Sequence, residues 1–111
     1  MLRDPASLVD ILAAARLVLR FVEGVDEAQF YGDLMRQAAV MREVEIIGEA
    51  AKRVSDDFKA RHAEIPWRRM AGMRDILIHA YDHVDLAELW NVTQVSIPEL
   101  VALIEPLTKQ E

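Results

Sequence analysis

Cysteine is absent from this chain of 111 residues. Its absence excludes disulfides, cysteine-ligated zinc and a thiol nucleophile. Glycine and proline occur only four times each, so the helix-breaking residues are sparse. No P-loop and no dinucleotide-binding glycine pattern is present. Long hydrophobic runs are also missing. The most apolar stretch near the start, residues 8–22, is interrupted by Asp10, Arg16 and Arg20. A membrane-spanning helix needs roughly 20 largely uncharged residues, and a signal peptide needs an unbroken apolar stretch. A cytoplasmic protein with no membrane association is the expectation.

Basic residues are outnumbered, 13 against 19 acidic, for a net charge of −6. On its face, this total argues against a nucleic-acid partner. The distribution argues otherwise. Residues 52–74 hold seven of the basic residues and three acidic ones, a local charge of +4, and the remainder of the chain carries −10. Within that block Lys52, Arg53, Arg68 and Arg69 are candidates for a surface that meets nucleic-acid phosphates. A solvated face that pairs with the acidic remainder is the alternative.

The chain is 52% hydrophobic, enough for the core of one domain, taken here as residues 1–111. The apolar pattern is helical throughout. Leu8, Ile11, Leu12, Ala15, Leu19 and Val22 form one stripe, with Asp4 as N-cap, Pro5 at the first helical position and Gly24 as the stop. Val40, Val44, Ile47, Ala51, Val54 and Phe58 follow at spacings of 4, 3, 4, 3 and 4, the strongest periodic signal in the chain. Leu34, Ala38 and Met41 drift onto a neighbouring face, so that helix wants two partners, either two helices of its own chain or one of its own and one from another subunit. Ser55 and Asp56 open a short turn. Pro66 sets up a helix from about Trp67, and Asp85 caps the last region. Ser96, Pro98 and Glu99 form either a capping box or a kink inside one longer helix. Trp67 and Trp90 are core or interface residues before they are base-stacking platforms. The expectation is an all-α, antiparallel bundle of four to five helices.

Chemistry concentrates in residues 72–81, Gly-Met-Arg-Asp-Ile-Leu-Ile-His-Ala-Tyr. Steps of about 100° put Asp75, His79 and Asp82 on one stripe and align Arg74 with Tyr81. Arg74 and His79, five apart, are separated by about 140° on an ideal helix. A break in the helix or a second copy of the motif would bring them together. An arginine fork can hold a phosphate and stabilise developing negative charge. A histidine can move a proton near neutral pH, and Asp75 can accept a hydrogen bond from it. Attack of a ribose 2′-hydroxyl on the adjacent phosphate needs only such groups. His79 and His83 are four apart, but no histidine–glutamate metal signature accompanies them, and neither metal nor cofactor is expected.

The ordered set Arg42-Glu43-Val44-Glu45-Ile46-Ile47-Gly48-Glu49-Ala50, Ile65-Pro66-Trp67, the R-x-x-x-x-H-x-Y of Arg74, His79 and Tyr81, and Val84-Asp85 followed by Trp90 resembles the HepT-like branch of the HEPN superfamily. The resemblance covers most of the chain. It implies an all-helical homodimer with two motif copies lining a cleft at the dimer axis. It implies a metal-independent endoribonuclease with Arg74 and His79 catalytic, the toxin of a type II toxin–antitoxin pair. It also implies a cognate minimal nucleotidyltransferase antitoxin that transfers AMP to the motif tyrosine, here Tyr81. This chain has Asp75 where the family often has Asn. Some relatives have been described as substrate-binding partners of a nucleotidyltransferase, so a non-catalytic helical adaptor is the second reading.

Overall fold

The computed structural model describes residues 3–72 and 85–109, and every regular element among them is helical. They are α1 (Arg3–Phe21), α2 (Glu27–Tyr31), α3 (Leu34–Arg53) and α4 (Asp56–Arg61). A helix that begins at residue 67 and is described as far as 72 is α5. Then come α6 (Leu86–Asn91), a π-helical turn over Val92–Ser96, and α7 (Ile97–Thr108). None of the described helices is long and apolar enough to cross a membrane.

Helices α1 and α3 run antiparallel, and polar ties mark both ends of their contact. At one end the Arg36 guanidinium donates to the carbonyl of Phe21 and, at 3.0 Å, to Asp33 Oδ2. At the other, Arg53 lies 3.5 Å from Asp10, and Asp4 holds Ser55. The predicted α3 stripe is the one buried: Val40, Val44, Ile47, Ala51 and Val54 are at most 3% exposed. They meet Ile11, Ala15 and Val18 of α1 in one core, which Ile97, Leu100 and Ile104 of α7 complete. Full burial of each large aliphatic side chain contributes about 1.5–3 kcal/mol. The neighbouring α3 face is uncovered at its start, where Leu34 is 79% and Met35 85% exposed.

Two terminal expectations change. Asp4 lies inside the first turn of α1 rather than capping it, because its carboxylate is committed to Ser55 across the bundle. Ser96 is helical and caps nothing, so the kink reading holds and the capping box does not. Pro98 has no N–H to return to the carbonyl of Gln94, and its ring crowds that carbonyl. The chain widens just before it, and Ile97 N–H reaches back five residues to Val92 O.

Local rules account for the shorter elements. Gly24 adopts φ +73°, the left-handed turn that ends the α1 region. Asp26 and Gln29 form a reciprocal capping box on α2. Gln37, buried in α3, donates to the carbonyls of Phe30 (2.8 Å) and Tyr31 (3.1 Å), which satisfies the end of α2. Phe30 is fully buried with its ring 5.3 Å from that of Trp90. Trp90 is thus a packing residue that joins α2 to α6.

Candidate functional site

The motif residues Arg74, Asp75, His79 and Tyr81, and also His83, lie outside the described residues. The chain on both sides of them is described, and both sides are firmly held. On the N-terminal side, Ile65 and Met70 are each 2% exposed and Trp67 is buried. The Trp67 indole N–H donates to the carbonyl of His62 at 3.0 Å. Phe58 stands edge-on to Trp67, with centroids 6.1 Å apart, and lies 4.4 Å from the His62 ring. An aromatic corner of α4 and α5 therefore fixes where α5 begins. On the C-terminal side, Asp85 accepts from the N–H groups of Ala87 (3.0 Å) and Glu88 (3.2 Å) and caps α6.

The basic block divides into groups with different surroundings. Arg53, at the end of α3, lies 3.5 Å from both Glu49 and Asp10. Such exposed pairs contribute at most about 1 kcal/mol each. Lys52 is exposed beside it. Arg61 sits 5.6 Å above the Phe58 ring, a cation–π contact. Arg68 and Arg69 are exposed on α5. With Lys59 of α4 they line an open groove of roughly 800 Å³ whose other walls include Ile65, Pro66 and Trp67. No carboxylate lies among the described lining residues of that groove. Sequence reasoning placed Lys59 in the basic block but did not group it with Arg68 and Arg69. The α4–α5 corner does so, and the Ile65-Pro66 turn is the local signal for that corner.

The remaining polar stripe of α3 is a surface ion network, with Arg42 3.9 Å from Glu45 and Glu49 joined to Arg53. His62 is half-buried with Nδ1 3.6 Å from Glu64. The other tyrosine, Tyr31, is exposed at the end of α2. Its hydroxyl donates to Glu27 Oε2 at 2.6 Å. That hydrogen bond to a carboxylate raises the phenol above its ordinary pKa.

A family model described as "Ribonuclease HepT-like" matches residues 11–107. The chain belongs to the HepT-like ribonuclease family. It is 47% identical over 102 residues to a probable ribonuclease HepT of Thermococcus cleftensis, covering 92% of this chain and 93% of that one. It is 37% identical over 100 residues to a putative RNase of Methanocaldococcus jannaschii, covering 90% and 92%. A putative RNase of Caldanaerobacter subterraneus subsp. tengcongensis is 35% identical over 104 residues, covering 94% and 93%. No solved structure matches the chain. Membership extends across both described stretches and the motif between them, so the buried corner before the motif and the Asp85 cap after it lie inside the family match.

Proposed function

We propose that this chain is a metal-independent endoribonuclease acting as a homodimer, with Arg74 and His79 as catalytic residues. The family match carries the reading, because it spans the whole R-x-x-x-x-H-x-Y motif. The reaction is attack of a ribose 2′-oxygen on the adjacent phosphorus. The P–O bond to the next nucleotide's 5′-oxygen breaks, leaving a 2′,3′-cyclic phosphate and a 5′-hydroxyl. His79 of each protomer handles one proton: one copy takes it from the 2′-hydroxyl and the other gives it to the leaving oxygen. Arg74 holds the phosphate and offsets the charge that builds on its oxygens. Asp75 positions His79 by accepting a hydrogen bond from the imidazole.

In the same reading the enzyme is the toxin of a type II toxin–antitoxin pair. Its partner is a minimal nucleotidyltransferase that transfers AMP from ATP to Tyr81, with release of pyrophosphate. An AMP group on Tyr81, seven residues from Arg74 in the sequence, would compete with the RNA phosphate for the guanidinium. Arg68 and Arg69, exposed just before the motif in the sequence, and Lys52 and Arg53, exposed at the end of α3, are the cations proposed to meet RNA phosphates. Incubation of the purified chain with a 5′-labelled RNA in EDTA tests the activity. Fragments ending in cyclic phosphate are the expected result, and intact RNA at all enzyme concentrations would refute it.

A further inference from the structure

We infer that the groove at the α4–α5 corner seats the backbone of single-stranded RNA, with Lys59, Arg68 and Arg69 on its phosphates and the bases left unread. This rests on the ribonuclease reading above and specifies how the substrate is held.

Three observations carry it. The first is charge: the three cations come from two different helices and converge on one open groove, which has no carboxylate among its described lining residues. A concave surface with several cations and no acid suits a polyanion, whose affinity comes from release of condensed counterions. The second is the chemistry of the floor. Trp67 is only 8% exposed, and its N–H is already given to the His62 carbonyl. Ile65 is 2% exposed. The indole face is therefore covered, and stacking of bases on it, the usual aromatic device for single strands, is closed off. Ile65, Pro66 and Trp67 offer no side-chain group free to read a base edge. Phosphate contacts give position and affinity without sequence information. The third is sequence position: Arg69 stands five residues before Arg74, so the groove is built from residues that closely precede the proposed catalytic segment in the chain. In-line attack by a 2′-hydroxyl requires a nucleotide free to rotate out of a duplex, which selects a single strand over a paired one.

The test uses the full chain and fluorescent 2′-O-methyl RNA 20-mers of three unrelated sequences. These probes bind but lack the attacking hydroxyl. Affinities are measured from 50 to 300 mM salt for wild type, Lys59→Gln, Arg68→Gln, Arg69→Gln and the triple variant, with the exposed α1 residue Arg20→Gln as control. Each single groove variant should reduce the slope of log affinity against log salt by about 0.7, and the triple variant by about 2, equally for all three sequences. Arg20→Gln should leave the slope unchanged. Unchanged slopes in the groove variants would overturn the inference, as would losses confined to one sequence. Displacement of the RNA by a polyglutamate peptide at lower concentration than unlabelled RNA would also overturn it and assign the groove to an acidic protein. Cleavage of an ordinary RNA by the same preparations separates the two levels. Cleavage with unchanged slopes removes the groove and keeps the ribonuclease, whereas a wild type that neither binds nor cleaves removes both.

Discussion

Asp4 holds Ser55 with both carboxylate oxygens: Oδ1 accepts the backbone N–H at 2.8 Å and Oδ2 accepts the hydroxyl at 2.6 Å. The Ser55 hydroxyl in turn accepts from Phe58 N–H and caps α4. The start of α1 is thus fastened to the corner from which the groove is built. Asp4→Ala removes both acceptors and should destabilise the fold by about 1–3 kcal/mol. Urea denaturation of Asp4→Ala, Ser55→Ala and the double variant measures this. The double variant should lose clearly less than the sum of the singles, because the two residues act as one unit.

Trp67 should be sensitive to loss of one polar contact. Trp67→Phe keeps an aromatic ring but removes the donor to the His62 carbonyl, for an expected cost of about 0.5–1.5 kcal/mol. Trp67→Ala empties the corner and should cost about 3–5 kcal/mol. Thermal unfolding of both variants checks the order. Equal stability of Trp67→Phe and wild type would remove the indole hydrogen bond from the account.

Acid stability should report on the α3 cap. Asp33 accepts the Arg36 backbone N–H at 3.0 Å, and this bond holds its carboxyl below the ordinary value of 3.8. A carboxyl depressed in the folded state favours folding fully above its unfolded pKa. That contribution is lost as pH falls through the folded pKa. The stability difference between wild type and Asp33→Asn should therefore be constant near neutrality and shrink as pH falls below about 4. A difference that grows on acidification would reverse the sign of the cap's contribution.

Two tyrosines are present, and they should respond differently to the proposed antitoxin. The Tyr31 hydroxyl is engaged by Glu27, which holds the phenol above its ordinary pKa. Incubation with the cognate nucleotidyltransferase and ATP, followed by peptide mass spectrometry, should find AMP on Tyr81. Labelling should persist in Tyr31→Phe and vanish in Tyr81→Phe. Labelling that vanishes in Tyr31→Phe instead would contradict the assignment.

The long helices were legible because burial writes a period into them. The stripe from Val40 to Val54 is the buried face at the α3 side of the core, and Ser55 and Asp85 open α4 and α6 as expected. Asp4 misled because a carboxylate before an apolar run has the same local appearance whether it caps its own helix or reaches Ser55, 51 positions away. On the second face of α3, Met41 packs against the core while Leu34 is 79% exposed. Periodicity records apolarity, and a single chain does not say what meets it. Pro98 signalled a disruption without its form, since a missing N–H is compatible with a new helix start or with the π turn adopted here. At the candidate site, residue types and spacing pointed to phosphate chemistry. The grouping of Lys59 with Arg68 and Arg69 was not legible, because it depends on the angle between α4 and α5.

Arg74 and His79 are the residues proposed to cleave RNA. Their role is tested most directly by cleavage of one RNA in EDTA by wild type, Arg74→Ala and His79→Ala, each at equal concentration and freed of any partner. Wild type should give cyclic-phosphate fragments, with a fall of about 10²- to 10⁴-fold in rate for His79→Ala and a comparable loss for Arg74→Ala. Equal cleavage by all three proteins would contradict that role.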